Sequence, residues 1–388
     1  MERIMAKKLF LLPLLLVIGV FMSSGIQKAA GDEALVFVSA FAAGEKGAIH
    51  AYKLKLDGKP DDARMELVER TTDVEHPFFL ALSPDRKFLY SIHAKKFGGD
   101  DDEEVAAYSI VGRTGQLKLL NRQSALGSAA CYLDVDPTGK AVVVANYSTG
   151  SVASFPVRED GSLDKAASFV QHKGSGVNPD RQEGPHAHCF VFSPDGRFAY
   201  AADLGLDQVL AYQLDAKTAK LSSNRQPFVR TPPGAGPRHL TFHPNGRHVY
   251  VINEFANSVT VFDYDAKSGV LIEQQTISTL PADFDGTSYC ADLKITPNGR
   301  FLYGTNRGHD SIAAYRIDDK GRLALLNIKP SRGKSPQNLA ITAGGELLLC
   351  ANMGGNNLAL FQINPQSGKL SQAGPPIAIP SPSCIMIR

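Results

Sequence analysis

The stretch GPRHLTFHPNGRHVYVINE, residues 236–254, holds two short apolar strands around a tight turn. Pro244 sets φ for that turn, Asn245 tolerates its left-handed position, and Gly246 takes positive φ without a steric penalty. The pattern returns about every 50 residues, a spacing typical of stacked or radial repeats. It reads SPDRKFLY from Ser83, DPTGKAVVV from Asp136, SPDGRFAY from Ser193, TPNGRFLY from Thr296, and in weaker form TAGGELLL from Thr342. At the first of these, Arg86 stands where the turn calls for Gly.

A third strand follows each pair: GAIHAYKL, EVAAYSI, SVASFPV, QVLAYQL, SVTVFDY, SIAAYRI and NLALFQI. A weaker fourth comes next, as at Leu117–Asn121 and Leu323–Ile328. Counting strand types tests closure. The third type occurs seven times, and the second also seven times once Leu35–Ser39 is included. The first type occurs six times before a turn, and Cys384–Arg388 at the C-terminus supplies the seventh. The expected fold is an all-β, seven-bladed propeller closed by joining its N- and C-terminal strands in one blade, which removes the open sheet edge. High glycine and proline counts, 35 and 23, fit many short strands joined by tight turns.

The first residues are read separately. Arg3, Lys7 and Lys8 precede an apolar run from Leu9 to Met22, and small residues follow through Gly31. That order is a secretory signal over 1–31, with the propeller over 32–388 and its repeat beginning near Ala34. The apolar run falls short of the ~20 residues that span a bilayer. Export to the periplasm or exterior is therefore expected, with no membrane association after cleavage. Losing four cations (Arg3, Lys7, Lys8, Lys28) and one acid (Glu2) takes the net charge from +2 to −1. Such a surface gives no reason to expect a nucleic-acid partner. The five cysteines, Cys131, Cys189, Cys290, Cys350 and Cys384, show no metal spacing and read as buried thiols, with one disulfide left open.

In a blade the innermost strand starts on the same face of the disc on which the second strand ends, and the turn proline lies on the other face. Distance from the proline then ranks residues by height. His188 lies six residues before Pro194 and Arg238 six before Pro244; Glu254 lies ten after Pro244 and Arg307 ten after Pro297. All four should meet at one mouth of the channel, an arrangement suited to a small anionic substrate. They are the candidate catalytic residues. His186, Asn146, Asp203, Asn253 and Asn306 are candidate substrate contacts. For the Asn/Asp column the competing reading is structural, each side chain bonding backbone where strand meets turn. An Arg238–Glu254 pair could likewise be structural, but it would not explain the matching heights of His188 and Arg307. The acidic run Asp100–Glu104 could hold calcium, yet it lacks a ligand spacing and reads as a solvated loop. No nucleophile elbow, zinc motif or phosphate loop is present in the sequence.

At GPHAHCFVFSPDGRFAYAADLG, GAGPRHLTFHPNGRHVYVINE, LKITPNGRFLYGTNRGHDSIAAYRID and the terminal PSPSCIMI, the chain resembles the propeller-type lactonases. That family contains 6-phosphogluconolactonases and 3-carboxy-cis,cis-muconate lactonising enzymes. The resemblance implies a site of one His, two Arg and one Glu, which fall on His188, Arg238, Glu254 and Arg307. It implies no metal or organic cofactor. Family members often carry Arg in the last repeat, where this chain has Gln337, and the last blade reads ANMGGN without a charged neighbour. The implied activity is hydrolysis of a sugar-acid lactone, with Glu254 or His188 as base and the arginines on the oxyanion and substrate acid. Two alternatives remain at this level: a muconate-type cycloisomerase, and an exported propeller that binds a ligand or protein without turnover.

Overall fold

Each turn is closed by its own first residue. Ser193 Oγ donates to Asp195 Oδ1 (2.7 Å) and accepts from Phe198 N (3.0 Å), while Gly196 N reaches Ser193 O (2.9 Å). Gly196, Gly246 and Gly299 sit at φ 69°, 66° and 73°, and Arg86 adopts the same left-handed geometry at 58°. The turn therefore persists even where the sequence departs from it.

The computed structural model describes residues 33–388 apart from 56–62, 95, 97 and 99–102. The expected signal over 1–31 and the acids Asp100–Asp102 lie outside the described residues. Seven antiparallel sheets follow one another. Blade 1 pairs Pro382–Ile387 with Ala34–Ala40, then Ala48–Lys55 and Arg64–Thr71. Blade 2 runs from Leu80 to Ser124, blade 3 from Ala130 to Gln171, and blade 4 from Ala187 to Arg230. Blade 5 spans Pro237 to Ser278, blade 6 Tyr289 to Pro330, and blade 7 Pro336 to Gln372, with Ile377–Ala378 added to its third strand.

The terminal seam forms as expected, with small corrections. The last strand is Pro382–Ile387 rather than Cys384–Arg388, because Pro382 pairs with Ala40 beyond an irregularity at Ser39. The outer strands also run further than the sequence indicated, to Ser124 and Pro330.

Inner strands are covered on both faces by neighbouring blades, so they read as unbroken apolar runs rather than alternating ones. Every residue of Ala141–Asn146 and His248–Asn253 is buried. The blades dock through a repeated contact. Tyr90, Tyr200, Tyr250 and Tyr303 each donate to a glycine carbonyl in the next blade, Gly161, Gly269, Gly321 and Gly368 respectively, at 2.8–3.0 Å. A Cβ on Gly321 would lie 2.4 Å from the His248 ring, so the close approach of the blades requires glycine there. Blade 3 departs on both sides of this contact. Ala141 and Val143 stand where blades 2, 4, 5 and 6 carry an aromatic pair, and the facing turn has Ala219 (φ 55°), whose carbonyl is taken by Ser154 Oγ (2.7 Å). The small Ala141 leaves room for the extra methyl.

All five cysteines are buried free thiols, and four of them lie on the innermost strands of four different blades. A cavity of about 440 Å³ opens on the proline-turn face at the closing seam, among Glu33, Arg86, Arg113, Glu346 and Arg388. It lies on the face opposite the mouth where Arg238, Glu254 and Arg307 meet.

Candidate active site

The height ranking has a local cause. In the pairing of blade 4, Ala187 faces Asp203 and Cys189 faces Ala202, which leaves His188 as the extra residue of a β-bulge. Blade 5 repeats this, with Pro237 opposite Asn253, His239 opposite Ile252, and Arg238 unpaired between them. Cys131 and Gln337 hold the same place in blades 3 and 7. A bulge re-aims its side chain out of the strand's alternation, which is how residues on innermost strands reach the mouth.

Glu254 is the hub. Its Oε2 accepts from Arg238 Nε (3.0 Å) and Arg307 Nη2 (2.7 Å), and its Oε1 accepts from Arg181 Nη2 (3.3 Å). Burial alone would raise the carboxyl, but Arg307, Arg238 and Arg181 outweigh it and hold it below the ordinary glutamate value. Three guanidiniums against one carboxylate leave the cluster with net +2. Arg238 is 1 % exposed. Burial and the nearby Arg307 bring it down to about 10, so it is still fully charged at neutral pH. Its Nη1 donates to Ala291 O (2.6 Å) and to His239 Nε2 (3.1 Å). Among the described residues, Arg238 Nη2 and Arg307 Nη1 have no protein partner, so these donors are free for a ligand.

His188 completes the arc. Its ring lies edge-on to Tyr147 and His239, each with centroids 5.4 Å away. Burial, with Arg238 and His239 beside it, holds the imidazole well below its ordinary value and therefore neutral at pH 7. Nδ1 lies 3.5 Å from Cys131 Sγ, and the thiol in turn reaches the carbonyl of His188 (3.5 Å). Burial keeps Cys131 a thiol, well above its usual pKa. The thiol can donate to that carbonyl while accepting Nδ1–H, which leaves the Nε2 lone pair free. Among the described residues nothing bonds Nε2.

His186 is the mouth's flank. It stacks on Tyr147 (4.5 Å, 15°), its Nδ1 lies 3.0 Å from Tyr147 O, and its amide binds Asp203 Oδ1 (2.8 Å). One step deeper, Asp292 Oδ1 accepts from His239 Nδ1 (2.9 Å), and Lys294, Asn338 and the Leu339 amide also donate to the carboxylate. Because Arg238 donates to Nε2, His239 must carry its proton on Nδ1. Burial and Arg238 bring His239 down to about 4, so it stays a neutral acceptor fixing the Arg238 fork.

The substrate-contact expectation for Asn146, Asp203, Asn253 and Asn306 is corrected. All four are 0 % exposed. Asn146 and Asn306 donate back to the end of the preceding blade, at Ala125 O (3.0 Å) and Thr279 O (2.9 Å), and forward to Ser151 and Ser311. Asn253 binds Ser258 and Thr260 (both 2.9 Å), and Asp203 binds His172 (2.6 Å). These side chains are inter-blade and turn staples, pointed away from the mouth. Asn306→Ala would strand the buried Thr279 carbonyl, so unfolding stability should fall by about 1–3 kcal/mol. A denaturant midpoint equal to the parent's would show that this bond contributes nothing.

The acidic loop also departs from expectation at its end. Glu103 is 1 % exposed, its Oε1 accepting from Gly98 N (2.8 Å) and Ala129 N (3.1 Å), so it anchors the loop rather than facing solvent.

Two mouth residues escaped the sequence reading. Tyr147 lies ten residues after Pro137 and was accessible to the same height rule, but it carries no charge to draw notice. Arg181 sits on the loop before blade 4, where a strand register has no reach.

The description "Lactonase, 7-bladed beta-propeller" matches residues 35–387, and the chain belongs to that family. It is 33% identical to 6-phosphogluconolactonase of Bacillus subtilis over 350 residues, 90% of this chain and 97% of that one. It is 31% identical to 6-phosphogluconolactonase of Formosa agariphila over 344 residues, 87% of this chain and 94% of that one. Among solved structures, the periplasmic gluconolactonase of Pseudomonas aeruginosa superimposes with a TM-score of 0.84 at 31% identity, covering 92% of this chain and 99% of that one.

Proposed function

We propose that this protein hydrolyses the lactone of a sugar acid, with His188 as general base and Arg238 and Arg307 as the oxyanion site. The observation that carries this reading is a neutral imidazole with a free Nε2 beside two guanidiniums that each keep an unused donor. Water adds to the lactone carbonyl as His188 Nε2 takes its proton. The oxyanion forms against the free N–H groups of Arg238 and Arg307. The ring C–O bond then breaks, and the proton on His188 passes to the leaving oxygen to give the hydroxy acid. Glu254 holds the guanidiniums in register. It is the poorer candidate for base, because both of its oxygens already accept from arginine.

The names of the relatives support the lactone class, and the Pseudomonas aeruginosa neighbour supports an unphosphorylated sugar as one candidate. Export over 1–31 belongs to the same reading, and activity recovered only from the cytoplasmic fraction would overturn it. The test of function is a screen of the purified protein on glucono-δ-lactone, 6-phosphoglucono-δ-lactone and a muconolactone. Hydrolysis above the spontaneous rate is expected for a sugar-acid lactone. Failure across the panel, or turnover of the muconolactone alone, would defeat the proposal.

The pH profile is a second check. A base must be unprotonated, and His188 is held well below 6.5. We expect kcat/KM to be flat from pH 6.5 to 7.5, with its acid limb below the ordinary histidine range. A limb centred on or above 6.5 would contradict His188 as a buried neutral base.

A further inference from the structure

Resting on the lactonase reading, we infer that Arg181 selects lactones that carry an acid group of their own, apart from the reacting ester. The three mouth guanidiniums form a ladder of depth. Side-chain exposure is 2 % at Arg238, 22 % at Arg307 and 39 % at Arg181, and all three share Glu254. The deepest rung lies on the innermost strand one blade on from His188, and the reacting carbonyl belongs there. The outermost rung meets whatever part of the substrate lies nearest solvent.

Arg181 is held as a presented group rather than a closed structural pair. Its Nη2 donates to Tyr147 Oη (3.2 Å) and to Glu254 Oε1 (3.3 Å), the longest of the three bonds to that carboxylate. Its plane lies over the Phe255 ring, 4.7 Å from the centroid. Among the described residues its Nε and Nη1 have no partner. A guanidinium held through Nη2 alone keeps its charge and leaves Nε–H and Nη1–H as separate open donors, each able to take an oxygen of a carboxylate or phosphate.

Its loop is built to hold this position. Gln182, fully buried, donates to Leu204 O and Asp207 Oδ1 (both 2.8 Å) and accepts from Asn178 N (3.0 Å). Asp207 also receives Gly234 N (2.6 Å) and Gly236 N (2.8 Å), at the start of the segment that delivers Arg238. One aspartate thus couples the loop of Arg181 to the strand of Arg238.

The test compares Arg181→Met and Arg181→Lys with the parent on three lactones: glucono-δ-lactone without an acid, glucaro-1,4-lactone with a carboxylate, and 6-phosphoglucono-δ-lactone with a phosphate. The ratio of kcat/KM for the acid-bearing lactones to that for glucono-δ-lactone should fall tenfold or more in Arg181→Met, through KM. Arg181→Lys should recover part of it. Which ratio falls further identifies carboxylate or phosphate as the group bound. An equal loss on all three lactones would make Arg181 a structural support of Glu254 and overturn the inference, while leaving the lactonase reading intact. A parent protein inert on every lactone would instead sink the reading on which the inference rests.

Discussion

His188→Asn is expected to lower kcat/KM for lactone hydrolysis by about 10²–10⁴-fold, the usual worth of a positioned general base. Asparagine keeps a polar side chain of similar reach at the bulge but has no nitrogen able to take a proton from water. The propeller should stay folded, since His188 forms no ion pair and its ring contacts are edge-on. The residual rate should also lose its acid limb, because no group that titrates in that range would remain in the proton transfer. A variant within twofold of the parent would remove His188 from the chemistry and return the base to another residue.

The second large effect is at Glu254. Glu254→Gln preserves shape and one acceptor oxygen but removes the charge on which Arg181, Arg238 and Arg307 converge. Arg238 is then a buried cation without its nearest counter-charge. Breaking a buried pair in this way costs about 3–5 kcal/mol of stability, and the loosened arginines should cost a further 10²–10³-fold or about that in rate. Denaturant unfolding measures the first and steady-state kinetics the second. Full stability would show that Asp292, acting through His239, already balances Arg238. Full activity would show that the guanidiniums need no alignment by Glu254.

These two residues also separate base from anchor. Position alone does not decide between them, since both lie at the mouth. Hydrogen bonding does. The neutral imidazole keeps Nε2 without a protein partner among the described residues, whereas both oxygens of the carboxylate already accept from guanidiniums. A neutral acceptor with a free nitrogen and an anion with no free oxygen are suited to different tasks.

The sequence by itself determined the blade count, the closing seam and the meeting of His188, Arg238, Glu254 and Arg307. Each follows from local chemistry repeated at a fixed period: a turn that demands proline and glycine, strands that must bury two faces, and a constant number of residues between turn and mouth. The tertiary structure alone decided which residues of that height face the opening. Asn146, Asp203, Asn253 and Asn306 share it, yet the first two and Asn306 turn aside to Ala125, His172 and Thr279 at the end of the preceding blade, and Asn253 turns to Ser258 and Thr260 within its own. Arg181 reaches Glu254 across 73 residues from a loop. The His239–Asp292 support joins two blades 53 residues apart. Such contacts depend on how neighbouring blades abut in space, and a repeat read along one chain carries no record of that.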